Sequence, residues 1–345
     1  MLDAGKKLTE LRQDVVTGEW VVIATGRARR PNDFVSKEEK PTNNIETCPF
    51  EKLESDAKLV ISKKGEIVTD FDSPAAADWF IEVIPNKFPA FYPSPICPVI
   101  LPLGPHKFTD GNGFHEVIVS RDHHKSIAQM TNDEAALVIR SYRERMSTLS
   151  FEECVEYVSI IHNHGPHSGA SITHPHSQLI AIPVVSPELL RSLAGSERYF
   201  RENKKCIHCV IIEFELQERH RIIFENDLFV AFAPFASHTS FEVRIFPKLH
   251  ASEFQNISDN EITPFAEALR VSLAKLDKGL NDPSHNFFIH TAPAKSASGY
   301  SHYHWHLEIL PITSTLAGFE FATGIEISTI TPESAAEFLR SVKVS

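Results

Sequence analysis

The chain has 345 residues, 42% apolar and 23% charged, enough material for two units with cores of their own. Its net charge of −11 excludes the broad basic face of a nucleic-acid binder but leaves room for a local site for a small anion. No run of about 18 apolar residues occurs, so no membrane span is expected. The opening stretch MLDAGKKLTELRQD lacks the apolar core of a signal peptide, which predicts a cytoplasmic protein. On that basis the five cysteines, two of them spaced as Cys206-x-x-Cys209, read as metal ligands or free thiols rather than disulfides. Residues 1–95 predict a short β-meander at 19–24 and 59–69 and Pro-rich turns, an extension draped over the first half of the chain.

Further along, the chain repeats itself. Residues 119–146 align without a gap on 246–273, placing His123 on His250 and Thr131-x-x-Glu134 on Ser258-x-x-Glu261. Both hydroxyl–glutamate pairs are capping boxes and open amphipathic helices over roughly 131–148 and 258–277. Each helix is preceded by a β-rich run (114–120, 241–247) and followed by two more strands: 155–162 and 177–185, then 286–290 and 305–311. The order strand, helix, strand, loop, strand occurs twice, which means a duplicated domain. The polar segment 186–225 reads as the connection between the copies.

The stretch HNHGPHSGASITHPHSQ, residues 162–178, carries the chemistry. Asn163, Gly165, Gly169 and Ser171 suit a loop that brings backbone N–H groups close to anionic oxygens. On the following strand His174, His176 and Gln178 share one face, because residues two apart point the same way. A neutral imidazole is a nucleophile at pH 7. The Gln178 amide can donate to a phosphoryl oxygen but cannot act as a general acid, which favours passing a group to a second acceptor over hydrolysis. His162, His164 and His167 read as solvent-facing or loop-capping.

The pattern Asn163-x-Gly165-x3-Gly169-x-Ser171-x2-His174-x-His176-x-Gln178 resembles the active-site signature of the histidine-triad superfamily. Gln178 in the last position resembles its transferase branch, typified by galactose-1-phosphate uridylyltransferase, and the resemblance spans nearly the whole chain. It implies an α+β fold of tandem duplicated histidine-triad-like domains, residues 1–190 and 191–345, with antiparallel sheets and packed helices. By the same resemblance His176 is the nucleophile, with Gln178 and Ser171 holding the phosphoryl group. Arg27 and Arg30 in GRARRPNDF match a phosphate-contacting segment, and Asn86 in IPNKFPAF a nucleoside-contacting one. Asn163 and Gly169 belong to the binding loop, and Gly318, Phe319 and Glu320 match a sugar-contacting stretch. The resemblance further implies a homodimer whose sites use both chains.

Two zinc sites are expected. The family's Cys-x-x-Cys plus two histidines corresponds here to Cys48, Glu51, His123 and His174, with Glu51 in place of a cysteine and His115 or His124 as substitutes for His123. Cys206, Cys209, His250 and His304 make a cleaner second set, with His302 in reserve. His302-x-His304-x-His306 spells three histidines in hydrolase fashion, but no glycine–serine loop precedes it. The expected activity is ping-pong nucleotidyl transfer between a nucleotide sugar (UDP-glucose or ADP-glucose) and a sugar phosphate. Uridylyl transfer between hexose 1-phosphates leads, and an ADP-glucose phosphorylase reading follows. Ser314 and Glu326 replace a lysine and a glutamine of the galactose enzymes, and Ser177 matches the adenylyl-transferring relatives. A dinucleoside polyphosphate hydrolase and a non-enzymatic nucleotide-binding protein are the remaining readings.

Overall fold

The computed structural model describes residues 9–27, 34–35, 45–51, 56–70, 73–295, 297–315 and 317–344. The chain opens with β1 (Thr9–Gln13) and β2 (Trp20–Ala24), then β3 (Leu59–Ser62), β4 (Ile67–Val68), α1 (Pro74–Ala77) and β5 (Trp79–Pro85). A hairpin of β6 (Leu101–Leu103) and β7 (His106–Phe108) leads to β8 (Phe114–Ser120), α2 (Asn132–Ser150), β9 (Tyr157–His164) and β10 (His176–Ile182). Two helices follow, α3 (Pro187–Asn203) and α4 (Ile207–Glu218), then β11 (Ile222–Glu225), β12 (Phe229–Phe232) and β13 (Val243–Pro247). The chain continues through α5 (Asp259–Leu280), β14 (His285–His290), β15 (His306–Pro311), α6 (Gly318–Thr323), β16 (Glu326–Ser328) and α7 (Pro332–Ser341).

The duplication is plain in three dimensions: β8–α2–β9–β10 recurs as β13–α5–β14–β15. The copies are joined edge to edge. One antiparallel sheet of eleven strands runs β11-β12-β13-β15-β14-β9-β10-β8-β5-β3-β4, and β9 meets β14 with His162 opposite Phe287 and His164 opposite His285. The expected division at 190/191 falls inside α3. Both long helices begin where their capping boxes stand. Thr131 accepts the Glu134 N–H at 3.2 Å, Glu134 accepts the Thr131 N–H at 2.7 Å, and Glu261 accepts the Ser258 N–H at 2.9 Å. The helices lie together on one side of the sheet, where Ile139, Tyr142, Phe265, Leu269 and Trp305 belong to a single buried core spanning both copies. Arg143 of α2 donates to Asp259 at 2.6 Å and Arg270 of α5 to Asn132 at 2.6 Å, fixing the helix pair.

Three expectations are corrected. The segment 186–225 is not a plain connection but carries α3 and α4; Ser186 accepts the Leu189 N–H at 3.2 Å and Pro187 stands in the first turn. The first strands do not drape over the first half, nor do they form one meander with β3 and β4. β1 and β2 form a separate sheet with β16 and lie on the second half, where Val21 and Ile23 pack on Ala236. Arg12 pairs with Glu333 at 3.0 Å and Asp14 with Arg244 at 3.1 Å. The third concerns thiols: Cys97 and Cys154, 57 residues apart, form a disulfide. β5 ends, and β8 and β9 begin, at one end of the sheet, so the loop 86–113 and the turn after α2 meet there.

Candidate active site

On β10 the side chains alternate. Ser177 faces the helices, where Tyr142 of α2 meets it, and His176 and Gln178 face the opposite side. Phe50 covers part of that side, packing with Val117 and Val119, and its ring centroid lies 5.1 Å from that of His176. The His176 Nδ1–H donates to the His174 carbonyl at 2.8 Å. A carbonyl only accepts, so in the neutral ring the lone pair is on Nε2. Burial pulls the His176 pKa below its ordinary value, against the opposing effect of that carbonyl, and keeps the ring uncharged at neutral pH. A half-buried neutral imidazole with Nε2 free of any hydrogen-bond partner among the described residues is a competent nucleophile.

Gln178 is held by a residue expected elsewhere. The Ala90 N–H donates to His115 Nδ1 at 3.1 Å, which leaves the ring proton on Nε2, and that proton is given to Gln178 Oε1 at 2.7 Å. The amide oxygen is thereby occupied, and the NH2 end is left to donate. His115 is thus no substitute metal ligand. Asn86 sits beside it, Nδ2 at 3.1 Å from His115 Nε2, with Oδ1 accepting the Phe88 N–H at 2.9 Å. Alternation on β8 put His115 on the correct face but gave no hint of its partner.

Between β9 and β10 the loop turns at Gly165 and Gly169, with φ of 82° and 86°. A Cβ at Gly165 would stand 2.3 Å from Ser284 Oγ and 2.9 Å from Ser284 Cα, so glycine is required there by space as well as by φ. Ser171 is exposed on this loop, and with Asn163 it lines a cleft of about 570 Å³. Phe319 and Glu320 are not part of that cleft. Phe319 stands exposed at the start of α6, and Glu320, Ser314 and Glu326 line a second groove of about 580 Å³ that meets the loop at His167. No lysine or arginine lines this groove among the described residues. Arg27 closes the turn Thr25–Arg27 after β2, and Arg30 lies outside the described residues.

Both metal sets converge as expected. In the second, Cys209 Sγ lies 3.4 Å from His250 Nδ1 and 3.5 Å from His304 Nδ1, with Cys206 Sγ 4.0 Å from the latter. His250 Nε2–H donates to the Ser301 carbonyl at 2.7 Å and His304 Nε2–H to the Pro247 carbonyl at 3.0 Å, so both Nδ1 lone pairs point at the sulfurs. The two sulfurs and two lone-pair nitrogens, all within 4.8 Å of one another, form an N2S2 donor set of the kind a zinc ion takes. The Cys209 thiol beside it, with the two imidazoles, holds Cys206 far below the ordinary thiol value. In the first set His174 Nε2–H donates to the Ser120 carbonyl at 2.6 Å, and its Nδ1 faces Cys48 Sγ at 3.6 Å and Glu51 Oε1 at 3.4 Å. His123 Nδ1 lies 2.7 Å from the same Glu51 oxygen, while its buried Nε2 has no partner among the described residues. His124 stacks edge-on against His123 and is exposed. His302 is buried away from the second set, against Phe200 and Tyr300.

The second copy repeats the backbone of this site but not its side-chain chemistry. His306 Nδ1–H donates to the His304 carbonyl at 3.2 Å, as His176 does to that of His174. Where Gln178 stands opposite Val117, however, Glu308 stands opposite Arg244. His290 Nε2 lies 3.1 Å from Glu308, and Arg244 reaches Glu308, Glu242 and Asp14, so ion pairs occupy that face, which with the turn between β1 and β2 lines a pocket of about 390 Å³. His306 itself is buried.

With this geometry in view, the model of the galactose-1-phosphate uridyl transferase N-terminal domain matches residues 3–186. The chain belongs to the galactose-1-phosphate uridyl transferase family. A family described only as a domain of unknown function, DUF4921, also matches residues 106–342. ADP-glucose phosphorylase of Arabidopsis thaliana is 34% identical over 97% of this chain and 93% of its own length. Galactose-1-phosphate uridylyltransferase of Thermotoga maritima is 27% identical over 98% and 99%. The crystal structure of the Arabidopsis ADP-glucose phosphorylase with bound ADP-glucose matches with a TM-score of 0.78 and 31% identity, covering 98% of this chain and 100% of that one. Like its family, the chain is a nucleotidyltransferase of the histidine-triad superfamily with an α+β fold. No helix among the described residues is long and apolar enough to cross a membrane.

Proposed function

We propose that the protein transfers a nucleotidyl group from a nucleotide sugar to a phosphate acceptor through His176. The free, uncharged Nε2 of His176 carries this reading. Nε2 attacks the α-phosphorus, a nitrogen–phosphorus bond forms, and the bond to the sugar phosphate breaks. The proton stays on Nδ1, donated to the His174 carbonyl, and that hydrogen bond steadies the charge the ring gains. Gln178 donates from its NH2 end to a phosphoryl oxygen, and Ser171, Asn163 and the Gly169 turn cradle the phosphates. Because Gln178 offers no acid, the nucleotidyl group leaves to a second phosphate rather than to water. Arg27, Arg30 and Asn86 complete the nucleotide end, and Phe319 and Glu320 bind the sugar.

Adenylyl is the group favoured here, on the similarity to ADP-glucose phosphorylase and on the absence of a lysine or arginine, among the described residues, along the groove that holds Ser314 and Glu326. Uridylyl transfer between hexose 1-phosphates is the second reading, favoured by the family model and the Thermotoga relative. Labelled sugar phosphate should exchange into the nucleotide sugar with no second acceptor present, and faster than the nucleotide sugar is hydrolysed. Running ADP-glucose against UDP-glucose divides the two readings, and no exchange with either removes both.

Zinc is the metal we assign to the two ligand sets; when bound, it ties secondary structure together and takes no part in the transfer. A homodimer fits the apolar side chains left exposed between β5 and β8, among them Phe88, Tyr92, Ile96, Val99, Ile100 and Leu103. A second copy of this chain is the occupant. Sedimentation at micromolar concentration should give a dimer that Ile96→Glu with Leu103→Glu splits into monomers; a wild-type monomer contradicts the assignment.

A further inference from the structure

The backbone around Gln178 is fixed from two directions. β10 is paired on both edges, with Gln178 opposite Val117 of β8 and Ile161 of β9. On the helix side Ser177 is held as well. His162, expected at the surface, is buried there with Nδ1 2.9 Å from Ser177 Oγ, and Ser177 Oγ is 2.5 Å from the hydroxyl of Tyr142. What the strand leaves undecided is the amide of Gln178 itself. Its oxygen and its nitrogen have nearly the same shape, so packing does not choose which end meets a phosphoryl group. The NH2 end attracts an anionic oxygen, and the carbonyl end repels it.

The choice traces back to a backbone N–H, the one proton in this chain of contacts that cannot move. The Ala90 N–H points at His115 Nδ1, 3.1 Å away, and a proton on that nitrogen would meet it head on. The ring proton is therefore on Nε2. Asn86 Nδ2 lies 3.1 Å from that nitrogen and Gln178 Oε1 lies 2.7 Å from it. Asn86 Oδ1 accepts the Phe88 N–H at 2.9 Å, which makes Nδ2 an NH2 group and no acceptor. Gln178 Oε1 takes the proton. Gln178 Nε2 has no hydrogen-bond partner among the described residues and is left to donate on the face that carries His176. The carbonyl of His115 also accepts the Asn86 N–H at 2.8 Å. One residue thus holds Asn86 by its backbone and Ala90 by its ring. We propose that His115 is a positioning residue for the transfer: acting through Gln178 rather than on the substrate, it holds the amide with the NH2 end toward the phosphoryl group and ties that orientation to the segment 86–90. This rests on the transfer reading above.

The amide matters most when charge builds on the phosphoryl oxygens, so the effect should fall on kcat. His115→Phe keeps a ring and removes the donor. In nucleotidyl exchange by the full chain its kcat should drop about thirtyfold, with KM for the nucleotide sugar within about threefold of wild type. Gln178→Ala, which removes the amide outright, should lose about a hundredfold or more. The double variant reads how His115 acts. It should match Gln178→Ala within about threefold, because nothing remains to be positioned. His115→Gln returns an amide N–H near the place of Nε2 and should stand closer to wild type than His115→Phe does. Losses that multiply in the double variant, or a kcat for His115→Phe within about threefold of wild type, overturn the proposal while wild-type exchange still stands. Should the variants not fold, neutron diffraction from wild-type crystals reads the tautomer: deuterium on His115 Nε2 is the expected result, and deuterium on Nδ1 overturns the proposal. Absence of wild-type exchange, by contrast, removes the transfer reading itself.

Discussion

Replacing His176 with asparagine is expected to lower nucleotidyl exchange by on the order of 10⁵-fold, the scale of losing a covalent nucleophile. The choice of asparagine is geometric. Its amide nitrogen can stand where Nδ1 stands and keep the bond to the His174 carbonyl, now 2.8 Å, while nothing replaces Nε2. The fold should survive, with stability within about 1 kcal/mol of wild type, because the ring is only half buried and leaves little cavity beside Phe50. Exchange rates measured on folded variant and wild type check both halves of the claim. A loss of only about tenfold would mean that His176 binds rather than attacks.

Cysteine 209 carries the second large effect. Cys206 caps α4 and Cys209 lies in its first turn, while His250 follows β13 and His304 precedes β15. A cation held by these four ties the helix to the sheet of the second copy. Cys209→Ser should weaken that cation and cost on the order of 3 kcal/mol, roughly 6–12 °C in Tm for a domain of this size. Exchange per folded molecule should change little, because the cluster belongs to the copy whose equivalent of the active face carries the Arg244–Glu308 ion pair in place of a free glutamine. Calorimetry and exchange on the same preparation test this. An unchanged Tm with exchange lost would assign the cluster to chemistry instead.

Much of the fold was legible because the capping boxes and the repeat are local patterns. The expected helices at 131–148 and 258–277 fall within three residues of α2 and α5 at each end. The histidine loop was legible for the same reason: spacing on a strand decides a face, and His176 and Gln178 share one. Partners brought together from far along the chain were not. Nothing local says that β1 and β2 lie on the second half, since that depends on Arg12 meeting Glu333 and Asp14 meeting Arg244. The disulfide between Cys97 and Cys154 depends likewise on the strand order of the sheet. The helices in 186–225 did leave a signal, Ser186 before Pro187, which the polar outer face of α3 obscured. His115 and His162 fall in between: alternation assigns each a face, but only the fold supplies Gln178 to one and Ser177 to the other.

The central claim is a covalent bond between one ring nitrogen and phosphorus, and peptide mapping reads it directly. Protein incubated with ADP-glucose or UDP-glucose and no acceptor, then quenched in alkali to preserve the acid-labile bond, should carry one nucleotidyl group on the peptide that contains His176. Turnover with no adduct, or an adduct on another residue, would contradict the account.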